Sequence, residues 1–430
     1  MASTVHDTLR QATWDIHERL EATPYAKALE DGSVSLEGYL GHLRCLAVLH
    51  SELERHLSKV ADHPVWRPED SRLPLIMADL DFFRPRFARD VLPAVEEALA
   101  MAGDIRRRCR TAPASLLGPL YVLEGSAKGG LTLAPLVRAA LDLPEGRGAT
   151  YLESRGPAVP ARFEAFMERM EAALGADEAL LAQAVESARE FFEGLERIML
   201  ALHPLRPEAL GFHVTGLNPE AGMHAVPADA QELAAAVCAG ERCLVAYPYF
   251  ERRYGQRGRR FTASDSAWLV TVGRLSPQDC LKQVEWLAGV LAARGMPRVL
   301  MERHLEFLAE ELNAARPELA ASHAALRSAA RELERLRLEK MPLELARTLT
   351  AGFQAATAGA FAPGPDGTRP GEPLAEAAEL ILSAVADEAW GVAGAVESLS
   401  AWLAGREVFP EAWCLAVEEL VAKARGAVAG

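Results

Sequence analysis

The sequence predicts an all-α fold arranged in two helical domains. Apolar residues recur every three or four positions along most of the chain, the spacing of a buried helix face. Alternating or β-branched runs, the marks of strands, are scarce. Good helix formers (Ala, Leu, Glu and Arg) dominate between clusters of Pro and Gly. At 430 residues the chain exceeds one ordinary core. Residues 1–206 are expected to form one domain, 207–227 a linker, and 228–430 a helical accessory domain.

Thr4 with Asp7 three residues on reads as a capping box. It opens a first helix that should run to about Ala22, where Thr23-Pro24 stops it. After a turn at Asp31-Gly32-Ser33, Tyr39, Leu43, Leu46, Leu49, Leu53 and Leu57 mark a second long helix to about Ala61. His42, His50, His56 and His63, on or beside it, read as surface or rim residues. Pro64, Pro68 and Pro74 mark a loop, and helices follow near Leu75–Phe83 and Leu92–Ala102. A helical stretch interrupted by three glycines spans Pro119 to Leu131, and another helix begins at Pro160. The last helix of this half runs from Asp177 to Leu202, with Leu181, Val185, Ala188, Phe192, Leu195 and Met199 inward.

Two of these stretches carry possible chemistry. On the first helix Leu9, Thr13, Ile16 and Leu20 form an apolar stripe that includes His17, and Arg10 lies two turns before His17 on the same face. A neutral imidazole there can ligate iron, and a cation along the face can hold acid groups; a satisfied core histidine is the plainer alternative. In the second stretch Gly125 and Gly129 stand one turn apart, followed by Gly130. Mid-helix glycine costs about 1 kcal/mol relative to Ala. Baring one face lets a flat ligand approach the backbone; close helix packing explains the same residues. Lys128, one turn from Glu124, is expected to pair with it.

Composition narrows the classes. Half the residues are hydrophobic and a quarter charged, the profile of a globular protein. A net charge of −14 argues against nucleic-acid binding and against anionic membranes. No eighteen-residue apolar run and no signal peptide occur, so the expectation is a cytoplasmic protein without a membrane span. Six scattered cysteines without a CxxC lend no support to zinc.

Taken together, Leu9-Arg10-x-Ala12-Thr13-x-x-x-His17 and Tyr121-Val122-Leu123-Glu124-Gly125-Ser126-x-x-Gly129-Gly130, with the order of the later helices, resemble the heme oxygenases that form biliverdin. The resemblance covers about residues 8–203 and is closest to the bacterial type that supplies bilin to phytochromes. It implies a heme-oxygenase-like helical bundle in which heme is both cofactor and substrate. O2 and an electron donor such as a ferredoxin or reductase would open the ring to biliverdin, carbon monoxide and ferrous iron. By the same resemblance His17 is the iron ligand, and Gly125, Ser126, Gly129 and Gly130 cover the opposite face. Arg10, Tyr121 and Arg162 are candidates for the propionates, Arg169 is a second choice, and Phe192 is a pocket wall. Ser126 stands where many members carry an Asp that organises proton delivery, which leaves a non-catalytic heme-binding or heme-sensing protein as the alternative.

Beyond Pro207 the resemblance ends. Helices are expected at 229–239, 264–273, 277–294, 297–315, 318–340, 342–358, 373–403 and 410–424, with a loop at 362–371. The segment Tyr247 to Phe261 interleaves five arginines with aromatics and can hold an anion, tetrapyrrole propionates included; a solvated loop is the alternative. His304 lies in a helix, and His323 is expected to be exposed.

Overall fold

The computed structural model describes residues 4–84, 88–362 and 372–429. It forms two compact units, Met1–Met223 and His224–Gly430.

In the first unit, α1 (Val5–Glu21) starts at the expected capping box, with the Thr4 side chain accepting from the Asp7 N–H and Asp7 reaching back to Thr4. Thr23 and Pro24 close it by opening α2 (Pro24–Asp31). The scaffold continues through α3 (Leu36–Leu57), α4 (Leu73–Phe83), α5 (Leu92–Thr111), α6 (Leu117–Leu141), α7 (Thr150–Glu153), α8 (Val159–Leu174) and α9 (Glu178–Leu202). The long α9 is the spine: α1, α5 and α6 all pack on it. Its stripe of Ala188, Phe192 and Leu195 is buried, with Leu181, Val185 and Met199 packed against the same core.

Two expectations fail here. Residues 207–223 do not form a linker. Leu210–Gly211 pairs as β2 with β1 (Asp90–Val91), and the His213 N–H donates to Asp90 at 2.8 Å. Asp90 is buried and also takes Arg44 at 2.9 Å, so this segment is held by a carboxylate that needs its partners. Nor are His50 and His56 surface residues. His50 bridges Glu54 and the Tyr151 hydroxyl at 2.9 and 3.1 Å, and His56 meets Glu52 at 2.7 Å. Half-buried His42 meets the Tyr25 hydroxyl, and burial lowers its pKa to about 4.

The second unit contains α10 (Ala230–Ala246), α11 (Tyr249–Val272), α12 (Pro277–Ala292), α13 (Arg298–Ala315), α14 (Ala324–Lys340), α15 (Leu343–Thr357), α16 (Ala377–Ala389), α17 (Ala395–Leu403) and α18 (Glu411–Ala429). The helix expected at 373–403 is divided by Gly391 and Gly394, both at positive φ. The one expected at 318–340 begins only at 324, after a 3-10 turn over Pro317–His323 that buries His323 against Glu232 at 2.9 Å. That correction has a simple cause: an acid buried on α10 requires a partner. The Arg-rich segment is helical from Tyr249, not a loop. The loop expected at 362–371 lies, beyond Ala362, outside the described residues. Among the described residues no helix is long and apolar enough to cross a membrane.

Candidate functional site: a slot beside His17

Helices α1 and α6 both pack on α8 and α9 without packing closely on one another. The gap between them is spanned by side chains. Thr13, whose hydroxyl donates to the Leu9 carbonyl at 2.8 Å, also bonds the Tyr121 phenol from α6. Burial pushes the Tyr121 pKa up, while the Thr13 bond and the nearby Arg10 charge oppose that rise. These residues tie the glycine-bearing helix to the one carrying His17.

His17 stands at the edge of the α1 stripe, not within it: Leu9, Thr13 and Ile16 are buried, whereas the His17 side chain is 41% exposed. Its ring is stacked on Trp14 at 5.9 Å and meets the edge of Phe192 at 5.8 Å, so two aromatic walls fix its orientation. Nδ1 is buried without a hydrogen-bond partner among the described residues, and the Glu21 carboxylate lies 3.7 Å away. The buried Nδ1 leaves Nε2 as the accessible nitrogen. A metal-ligating imidazole characteristically bonds a carboxylate through its second nitrogen; here Glu21 stands near Nδ1 but beyond hydrogen-bond distance.

The three glycines divide by function. A Cβ built at Gly129 meets nothing within 4 Å, and one at Gly125 touches only Phe163 at 3.9 Å. Their face of α6 is therefore bare and open. A Cβ at Gly130 would fall 2.8 Å from the Leu152 carbonyl oxygen, so this glycine serves close packing. An accessible imidazole and a bare helix face in the same bundle fit a planar, iron-centred ligand.

Cations are distributed differently from the sequence expectation. Arg10 is exposed and stacks over Trp14 at 5.3 Å. Arg162 is not brought to the slot; its guanidinium binds the Glu69 carbonyl and Asp70 at 3.1 and 3.2 Å. Arg169 joins the same cluster through Asp70 and the Val65 carbonyl. Lys128 does not pair with Glu124, because Glu124 is buried and taken by Arg155 at 2.7 Å. Lys128 lies instead 4.0 Å over the Phe163 ring, beside His6, whose pKa is lowered by burial and by the Lys128 charge. Arg10 and Lys128 thus lie over aromatic residues of α1 and α8, and sequence reasoning had assigned only the first.

Ser126, an exposed residue, has its hydroxyl engaged. Its hydroxyl donates to the Leu123 carbonyl at 2.7 Å and receives Arg72 at 3.3 Å. Arg72 is almost wholly buried, donates to the Leu123 and Tyr151 carbonyls, and lies 4.0 Å over the Tyr151 ring. Tyr151 leads on to His50 and Glu54, and the Glu54 carboxylate accepts the Arg72 backbone N–H at 3.1 Å. This buried polar chain beneath α6 had no signature in the sequence, since its members lie far apart along it.

Residues 3–201 match the family model described as heme oxygenase. Heme oxygenase 1 of Gallus gallus is 25% identical over 227 residues, covering 49% of this chain and 77% of its own length. Heme oxygenase 2 of Synechocystis sp. is 27% identical over 217 residues, covering 49% of this chain and 87% of its own. The crystal structure of that Synechocystis enzyme in complex with heme and NO aligns at 25% identity with a TM-score of 0.42, over 46% of this chain and 85% of the other. The candidate residues lie on α1, α6, α8 and α9, within the matched region, while the second unit is outside the family match.

Proposed function

We propose that the first unit binds heme through His17 Nε2 and cleaves it oxidatively to biliverdin, carbon monoxide and ferrous iron, using O2 and an external electron donor such as a ferredoxin or reductase. The observation that carries this reading is the accessible His17 imidazole in one bundle with a helix face bare at Gly125 and Gly129. Bound heme supplies the redox-active iron and is itself the substrate. His17 supplies a neutral nitrogen ligand, which Glu21 polarises and which Trp14 and Phe192 keep in place. Gly125 and Gly129 would admit the plane of the ring, since neither places a side chain on that face of α6. Arg10 and Lys128 place two positive charges near the slot for the ring's carboxylates, and the Tyr121 phenol offers a hydrogen bond beside Arg10. The Ser126 hydroxyl is committed to the Leu123 carbonyl and Arg72, so that position offers no side-chain acid as a proton donor to bound heme's oxygen chemistry.

The same commitment of Ser126 favours a second reading, in which the unit binds or senses heme without cutting it. The deciding experiment loads the full chain with heme, adds ascorbate or a ferredoxin–reductase system in air, and follows the visible spectrum. Decay of the Soret band with growth of broad red absorbance is expected. A persistent heme spectrum would leave the sensing reading in its place.

A further inference from the structure

The second unit contains a cavity of about 540 Å³ between α11, α12 and α13, within the range of pockets for small organic ligands. Its shape follows from the sequence. Gly255, at φ 54° and ψ −150°, breaks α11 just after Tyr254. Beyond the break Arg257, Phe261, Asp265 and Leu269 follow at intervals of four and line one wall. Across from them, α12 contributes apolar side chains and Trp286, a large aromatic that is 60% exposed and meets Trp268 edge-on at 6.2 Å. An exposed tryptophan at the mouth of an apolar cavity marks a place where a ligand enters.

Three polar groups distinguish this cavity from a packing defect. Arg257 lies 5.0 Å over the Phe261 ring, and Arg294 stands at the end of α12 with its charge acting on Asp265. The Asp265 carboxylate lines the pocket, largely removed from solvent, and among the described residues no hydrogen-bond donor meets it. Burial raises its pKa to about 7, with Arg294 opposing the rise. A carboxyl group held so asks for an N–H partner. His304 also lines the cavity, with its Nε2 hydrogen-bonded to the Ser266 hydroxyl at 3.0 Å.

We propose that this cavity binds a linear, metal-free tetrapyrrole, with Arg257 and Arg294 on its carboxylates, Asp265 accepting from its pyrrole N–H groups, and the aromatic wall against its conjugated body. A fatty acid would satisfy the arginines and the apolar wall but leave Asp265 without a donor. Heme would satisfy the arginines, but its four nitrogens are occupied by iron and present no N–H. The choice of molecule rests on the heme-cleaving reading of the first unit; the cavity and its polar groups do not.

The test adds biliverdin to the purified full chain and records Trp fluorescence quenching and induced circular dichroism in the visible band. Biliverdin carries no iron for His17 to ligate, so any binding at the first unit is common to the parent and to variants of the second-unit cavity, and the comparison between them reports on this cavity alone. Saturable quenching with induced dichroism is expected, weakened at least tenfold by Arg257→Ala with Arg294→Ala, and weakened by Asp265→Asn, which keeps the size of the side chain. Should the double variant lose its cooperative thermal transition, Asp265→Asn alone decides. Unchanged biliverdin affinity in the variants would overturn the assignment. So would displacement of biliverdin by equimolar oleate or ferric heme. Because biliverdin is supplied and not generated, a chain that fails to cleave heme can still bind it here, and the two readings fail separately.

Discussion

The slot beside His17 and the cavity of the second unit are opened by opposite means. The first is made by omission: Gly125 and Gly129 remove side chains from one face of α6. The second is made by a bend: Gly255 turns α11, and full-sized aromatic and charged side chains then stand around a space they do not fill. Their ionisable groups differ accordingly. His17 is part-exposed on a rim with Glu21 nearby, whereas Asp265 is desolvated with only the Arg294 charge to offset its burial. An opening made by omission is written in residue types at fixed spacing. One made by a bend exists only after three helices have packed.

The largest expected effect falls on the omission-built slot. His17→Ala removes the part-exposed imidazole proposed as ligand, and the loss of heme affinity should exceed the roughly 10–100-fold typical of losing an outer-shell partner alone. Heme titration followed at the Soret band measures it. Glu21→Gln should give the smaller, outer-shell effect; equal losses from both would mean that His17 acts only through packing.

The next contrast separates glycines within one motif. Gly130→Ala drives a methyl against the Leu152 backbone, which cannot yield as a side chain tip could, and should destabilise the first unit by about 1–3 kcal/mol. Gly129→Ala meets empty space and should stabilise α6 by up to about 1 kcal/mol while weakening heme binding. Urea unfolding of both variants, set beside their heme affinities, checks the division; a destabilised Gly129→Ala would assign that glycine to packing as well.

How much of this was legible beforehand depended on distance along the chain. The capping box at Thr4, the stripe of α9 and the spacing of His17 with Arg10 are local, and the structure forms those elements where periodicity placed them. His50, His56 and His323 are buried against the expectation because each is paired with an acid, and two of those pairs lie one turn apart on a helix that is buried nearly all round. Periodicity identifies which face is apolar but not that polar residues on the other face are also covered. Arg72, Ser126 and Tyr151 converge from α6, α7 and the residue before α4, a convergence that no spacing rule reports. The relocation of Lys128 turned on one remote residue: once Arg155 takes Glu124, the expected one-turn pair is gone and the lysine settles over Phe163.

The smallest predicted effect sharpens the comparison from the other side, through Asp265. Its folded pKa of about 7 lies above the ordinary value, so between pH 4 and 7 the folded state holds a proton that the unfolded chain has released. Stability from this group is complete below pH 4 and is lost as pH rises through 7. His304 on the facing helix, lowered by burial to about 4, acts in the reverse sense: its contribution is complete above pH 6.5 and is lost as pH falls toward 4. The two trends overlap, and Asp387, also raised to about 7 by burial, adds to the first. Asp265→Asn isolates one term, since the histidine and Asp387 contributions are common to variant and parent. The variant should gain stability over the parent as pH rises from 5 to 8, by about 1 kcal/mol once the carboxylate's proximity to the open mouth is allowed for. Thermal unfolding of both proteins at the two pH values provides the comparison. A gap independent of pH would mean that Asp265 is solvated in the folded protein, and the cavity would then be wet and polar where the geometry makes it a dry wall with one acid awaiting a donor.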